Sequence, residues 1–282
     1  MKEIVSGVVI ETEYDGVTLG AIQTSAGVIM IDAPINVKDA QVWRSSCGHS
    51  GNGSDRLLVL LDEHYDRCLG ARALRCPIIA HEKTAQAITG RNSAGKPQPS
   101  HTGSIWETLN DVNSVHWAHP EITFTNEMSV NWEDEPLQLE YHPGPSRGSI
   151  WAVLPERKIA FVGDTLMINQ PPFLATADLE AWDESLEILK SARFKDFIII
   201  SGRGELVTRE DAKEMQKFLK KVDHLAEKNA DSKNDLDEIE AVGASLVDDF
   251  KARNKTEMEV FRARLAYGFS QLCLNYLSKK VP

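Results

Sequence analysis

Asp62, Glu63, His64, Asp66 and Arg67 fall within six consecutive positions, and in this stretch side chains able to do chemistry crowd together. An imidazole beside carboxylates can move a proton, with His64 as general acid or base and Asp66 as its orienting partner. The Arg67 guanidinium adds a fixed positive charge for an oxyanion. A polar loop that only caps a strand has the same composition, so the surrounding elements must decide between the two.

Immediately before the cluster come Leu57, Leu58, Val59, Leu60 and Leu61, an unbroken aliphatic run. Such a run reads as a strand buried on both faces. A buried strand that delivers ionisable groups from its C-terminal end is a common way for an α/β scaffold to build a site. Upstream, 8–10 and 17–22 are strand-like segments around Asp15-Gly16, a hairpin signal, and 27–31 is an apolar run ending at Asp32. Asp32 is placed either to brace the site loop by hydrogen bonds or simply to end its strand. Downstream strands are expected at 78–80, 136–141, 151–154, 159–162 and 197–200, with helices at 37–44, 82–89, 104–111 and 177–192 and a helical turn at 69–74. The Gly-, Pro- and Ser-rich stretch 90–103 has the length of a flap near the site.

From Thr208 onward the pattern is helical. Thr208 with Asp211, and Thr256 with Glu259, have capping-box spacing. Phe261, Leu265, Phe269, Leu272 and Tyr276 recur on one helical face. That stripe is expected to pack partly on the domain and partly on a second copy, which makes the chain a homodimer.

The strand ending in Asp62, His64, Asp66 and Arg67 resembles the metallo-β-lactamase superfamily, in which a hydrophobic strand runs into His-x-His-x-Asp-His. Asp62 stands at the first histidine, His64 at the second, Asp66 at the aspartate and Arg67 at the last histidine. Leu69-Gly70 and 76–81 resemble the continuation. Three later segments resemble the remaining ligand positions. Pro143-Gly144-Pro145-Ser146 puts Pro145 where a metal histidine belongs, Gly163-Asp164-Thr165 keeps the bridging aspartate, and Gly202-Arg203-Gly204 puts Arg203 at the final ligand. The resemblance covers residues 1–206 and implies an α/β fold, a four-layer αββα sandwich. Residues 207–282 are then a C-terminal helical extension.

What the resemblance implies about chemistry is altered by these replacements. Arginine cannot ligate a metal and proline has no side-chain donor. Arg67 and Arg203 instead offer bidentate partners to Asp62, Asp66 and Asp164. The expected pocket comprises His64, Asp66, Arg67, Asp164 and Arg203, metal-free, binding a small polar ligand or serving a structural or regulatory role, as in a pseudoenzyme. No cofactor is expected. The alternative is a hydrolase of an ester, lactone or thioester. It would use either a single zinc or iron ion on Asp62, His64, Asp66 and Asp164, or metal-free acid–base chemistry by His64 with the arginines as oxyanion donors.

Composition excludes other classes. With 282 residues, 42% hydrophobic and 26% charged, the chain has the composition of a globular protein. A net charge of −11 disfavours nucleic-acid and anionic-membrane partners. No apolar run reaches the ~18 residues of a membrane span. The four cysteines form no Cys-x-x-Cys, and a cytoplasmic location with reduced thiols is expected.

Overall fold

Two sheets face each other across a shared apolar layer, with helices on both outer faces. The description is a computed structural model covering residues 1–47, 55–91, 101–109, 112, 116–132, 135–204, 206–230 and 235–280. The first sheet runs in chain order: β1 (Lys2–Val5), β2 (Val8–Glu11), β3 (Leu19–Gln23), β4 (Gly27–Ile31), β5 (Asp55–Val59), β6 (Ile78–His81) and β7 (Ile122–Phe124). The pairs from β1 to β4 are antiparallel, and those from β4 to β7 are parallel. Helices α1 (Val37–Ser46), α2 (Tyr65–Cys68) and α3 (Glu82–Thr89) follow β4, β5 and β6.

The second sheet contains β8 (Glu127–Val130), β9 (Leu137–Tyr141), β10 (Ile150–Leu154), β11 (Ile159–Gly163), β12 (Ile198–Ser201) and β13 (Leu206–Val207). Helix α4 (Leu179–Lys190) lies between β11 and β12. The tail forms α5 (Arg209–Ala230), α6 (Leu236–Ser245) and α7 (Lys255–Lys280).

Period-two side-chain alternation explains the layering. Ile29, Ile31, Leu57, Val59 and Leu61 point into the layer between the sheets, while Val28, Met30, Leu58 and Leu60 join Trp43 and Ile88 on the outer face. In the second sheet Ile150, Ala152, Ile159 and Phe161 face inward, and Trp151, Val153, Ala160 and Val162 face the helices. Both sheets therefore bury both faces, which is why their strands read as continuous apolar runs. The result is the expected αββα sandwich.

Several sequence expectations change. The segment 104–111 was expected to be a helix, but its described part holds only a 3-10 turn, Ile105–Thr108. A hairpin between β1 and β2, turning at Gly7 with φ +75°, precedes the hairpin marked by Asp15-Gly16. The second capping pair also shifts: Asn254 Oδ1, not Thr256, accepts from Glu257 N. Thr208 and Asp211 do cap α5 reciprocally. Most of the flap expected at 90–103 lies outside the described residues.

The stripe on α7 does not form a free face. Phe261, Leu265, Phe269 and Leu272 are buried in the same core as Trp151, Val162 and Leu186, and the Tyr276 hydroxyl donates to Asp223. The amphipathic pattern reflected burial against the chain's own second sheet and α5, so it gives no contact stripe for a second copy. Among the described residues, no helix is long and apolar enough to cross a membrane.

Candidate functional site

The strand register delivers the first site loop. Beyond β5 the chain stays buried through Leu61, whose carbonyl accepts from Ile150 N at 2.9 Å and so ties the first sheet to β10. Asp62 Oδ1 accepts from His64 N at 2.8 Å. His64, in an extended conformation, caps α2, its Nδ1 accepting from Asp66 N at 3.2 Å. This one-turn helix turns Asp66 and Arg67 inward, both with no solvent exposure.

Asp32 sits at the end of β4 with φ +60°. Its carboxylate accepts from Leu61 N at 2.9 Å and from Arg67 Nη1 at 2.7 Å, so it braces the site loop rather than merely ending a strand.

Arg67 is the hub of three carboxylates. Nη1 binds Asp32, Nη2 donates to Asp164 Oδ1, and Nε lies 2.9 Å from Asp62 Oδ1 in an ion pair poorly aligned for a hydrogen bond. Gly202 makes room for this crossing, because a Cβ there would stand 2.9 Å from both Arg67 Nη2 and Asp164 Oδ1.

Arg203 is the second hub. Its Nε donates to both Asp164 oxygens at 3.1 Å, Nη1 to Asp66 Oδ2 at 2.8 Å and Gly16 O at 2.6 Å, and Nη2 to His64 Nδ1 at 2.9 Å. The Arg203 loop is held from the N-terminal side, where Thr18 N donates to Gly202 O and Thr18 Oγ1 to Gly204 O. All six expected residues, Asp62, His64, Asp66, Arg67, Asp164 and Arg203, are thus linked by direct contact.

Charge and burial set the protonation states. Burial alone would raise the Asp164 pKa, but Arg203 and Arg67 together hold it well below the usual carboxylate range. Asp66 is likewise buried, yet Arg203, His64 and the Trp106 N–H keep it low. At Asp62 burial wins over the single Arg67 contact, and the pKa rises to about 7. Burial, reinforced by Arg203, pushes His64 down to about 3. Because His64 Nδ1 accepts from two N–H donors, the neutral ring carries its proton on Nε2.

Residues that the sequence reading passed over complete the wall. Asp66 Oδ2 and Oδ1 accept from Ile105 N and Trp106 N at 3.1 and 2.9 Å, which docks the 101–109 segment on the site. The Phe173 ring lies 4.1 Å from the His64 ring, and Arg203 is 4.6 Å from its centroid. Arg264 of α7 stacks on the same ring at 3.9 Å. Neither residue belongs to a local motif; they meet the site only through the tertiary fold.

At Pro145, where the resemblance placed a metal histidine, the loop is held by hydroxyl groups on the Glu63 carboxylate. Ser146 Oγ donates to Glu63 Oε2 at 3.0 Å, and Thr84 Oγ1 lies 3.3 Å from the same oxygen. His116 and His119 are exposed and stand apart from this network.

The profile of the family described as the metallo-beta-lactamase superfamily matches residues 63–202, the span from the His64 loop to the Arg203 loop. The chain carries a metallo-β-lactamase superfamily domain. Solved structures share its fold at low identity. A metallo-beta-lactamase family protein from Thermus thermophilus is 15% identical with a TM-score of 0.67, the match covering 99% of this chain and 95% of that one. A metallo-beta-lactamase from Pontibacter korlensis is 17% identical with a TM-score of 0.58, covering 78% of this chain and 97% of the other. The stereoselective inverting sec-alkylsulfatase Pisa1 from Pseudomonas sp. is 13% identical with a TM-score of 0.62, covering 98% of this chain and half of that one. No curated protein matches the sequence.

The donors of this metallo-β-lactamase domain do not fit the pair of dications its family name implies. Metal ligands must present free lone pairs at fixed geometry. Here both Asp164 oxygens and one Asp66 oxygen face guanidinium groups, and His64 Nδ1 is already an acceptor. Among the described residues no group of three or more His, Cys, Asp or Glu side chains is arranged to hold a metal ion.

Proposed function

We propose that this chain is a metal-free member of its superfamily, in which Arg67 and Arg203 do electrostatically what a metal pair would otherwise do. On this reading the arginine- and aspartate-lined pocket binds a small polar ligand and is not a hydrolytic centre. The observation that carries it is the Asp164 carboxylate shared by the two arginines. Guanidinium groups are cationic at any accessible pH, so a dication in the same place would be repelled by both.

The metal-free hydrolase reading needs His64 to accept a proton. In this arrangement its one lone pair is engaged by Arg203 Nη2 and Asp66 N, which leaves Nε2–H as a donor only. This favours ligand binding over general-base catalysis.

Elemental analysis of purified protein tests the reading, followed by zinc and iron titrations monitored by thermal unfolding. The expected result is far less than one metal per chain and no shift in Tm. Stoichiometric zinc or iron whose removal by chelator lowers Tm would overturn it in favour of the mononuclear site on Asp62, His64, Asp66 and Asp164. Ester, lactone or thioester turnover that survives chelation would instead establish metal-free catalysis.

A further inference from the structure

Arg264 is a buried cation for which the carboxylate network provides no partner. It is 1% exposed, and its hydrogen-bond acceptors are neutral: Nε donates to Gly103 O at 3.0 Å, and Nη1 to Gln170 Oε1 at 3.1 Å and Pro171 O at 2.9 Å. Nη2 is buried with no acceptor among the described residues. A buried N–H left unpaired on a charged group is costly and calls for an explanation. Burial and the neighbouring Arg203 charge act against the protonated guanidinium, and the charges of Asp66, Asp164 and Glu257 offset them only in part. Its closest aromatic neighbour is Phe173, 3.9 Å away, and the same ring touches His64 and Arg203.

Phe173 is only partly buried, at the margin of the core cluster it packs against. The ring lies against His64, Arg203 and Arg264, whose Nη2 has no acceptor among the described residues. Ser104 Oγ lies 3.5 Å from His64 Nε2 and adds a hydroxyl to the same wall. The group left without a partner at this wall is an N–H donor, Arg264 Nη2, which a metal ion could not satisfy. We propose that Arg264 anchors a subsite for the oxyanion group of a small molecule, beside His64, and that Phe173 fills this subsite when no ligand is bound.

Two features support a built subsite over an accident of packing. The segment that carries Ser104 is seated directly on α7: a Cβ at Gly103, where φ is +69°, would stand 2.4 Å from Arg264 N. The guanidinium is also held in place by its three neutral bonds, so it is preorganised for a charge-assisted bond at Nη2. The proposal deepens the metal-free reading by naming the ligand's chemistry, and it rests on His64 Nδ1 not being claimed by a metal.

Isothermal titration calorimetry with acetate, sulfate and phosphate, at ionic strength matched with sodium chloride, tests it on the full chain. Wild-type protein is expected to bind at least one of the three saturably. Phe173→Ala, which removes the competing ring, should bind about tenfold more tightly, and Phe173→Trp more weakly. Arg264→Gln should lose binding. If that variant fails to fold, the opposite shifts of the two Phe173 variants still decide. Equal affinity in all of these proteins, or no binding by Phe173→Ala, overturns the subsite. The relative affinities distinguish a planar carboxylate from a tetrahedral ligand. Metal analysis of the same samples keeps the two proposals separable: metal-free protein that binds no oxyanion overturns the subsite alone, and stoichiometric metal overturns the reading beneath it.

Discussion

Arg67 and Arg203 share one carboxylate: Asp164 Oδ1 accepts from Nη2 of the first and Nε of the second. The two guanidinium groups come from opposite halves of the sandwich, one after β5 and one after β12. The shared anion therefore welds the sheets at the same end as the Leu61–Ile150 bond.

Removing either cation should be expensive. Arg203→Ala strands the buried Asp66 without a cation and leaves Asp164 to Arg67 alone, and an expected loss of ~3–5 kcal/mol follows. Arg193, about half exposed and paired with Glu140 at the surface, is the control: Arg193→Ala should cost no more than ~1 kcal/mol. Chemical denaturation of both variants measures the contrast, and equal costs would show that the interior network is not a stabilising unit.

Restoring histidines should not restore a metal pair. Arg67→His with Arg203→His supplies two imidazoles, yet Pro145 still has no donor and Asp62 still stands at the first histidine position. Zinc titration of the double variant is expected to saturate at no more than one equivalent; two tight equivalents would contradict the role assigned to Pro145.

Asp62 gives stability a pH dependence of unusual sign for a carboxylate. Its folded pKa is about 7, above the unfolded value near ~3.9. Between these values the folded chain holds a proton that the unfolded chain has released, so this contribution falls as pH rises and levels off above pH 7. Asp62→Asn removes the effect. Its stability relative to wild type should climb from pH 4 to 7, by no more than ~1.4 kcal/mol per unit. A flat difference across that range would mean that Arg67 keeps Asp62 ionised.

His64 acts in the other direction. Its pKa is lowered to about 3, so between there and ~6.5 the unfolded state binds the extra proton and stability rises with pH. Nitrogen-15 NMR at pH 5 is expected to show a neutral ring protonated on Nε2. A doubly protonated imidazolium at that pH would contradict the Arg203-to-Nδ1 bond.

Gly103→Ala should be disruptive despite its size. The added methyl meets the α7 backbone and the residue must hold a left-handed φ, a conformation costing ~1–2 kcal/mol for an L residue before any clash. The combined loss should exceed that of Gly90→Ala, whose Cβ meets nothing closer than 3.6 Å. Equal melting temperatures would show that the 101–109 segment is not seated on Arg264.

The layers were legible in the sequence because strands buried on both faces announce themselves as aliphatic runs, and each run stops where the site begins, at Asp62, Asp164 and Arg203. The pairing of Arg67 and Arg203 with aspartates followed from the family resemblance, which brought their positions together, and from the charge balance that then required it. Arg264 and Phe173 were not legible. They lie in a helix and a loop whose local patterns concern other tasks, and nothing in their neighbours' identities marks a guanidinium that stacks on an aromatic ring some ninety residues away. The stripe of α7 misled for a related reason: amphipathic spacing says that a face is covered without saying by what.

The clasp of Thr18 on Gly202 and Gly204 bears on the order in which a growing chain can mature. Synthesis brings out Asp32, Asp62, Asp66 and Arg67 first, with only one cation among three acids. Asp164 and Arg203 arrive much later, and Arg264 later still. Until Arg203 has emerged, the buried acids Asp32, Asp62, Asp66 and Asp164 have only Arg67 as a counterion, so this corner of the sandwich completes its pairing late in synthesis. A nascent polypeptide paused before that point would display acidic side chains where the finished molecule hides them.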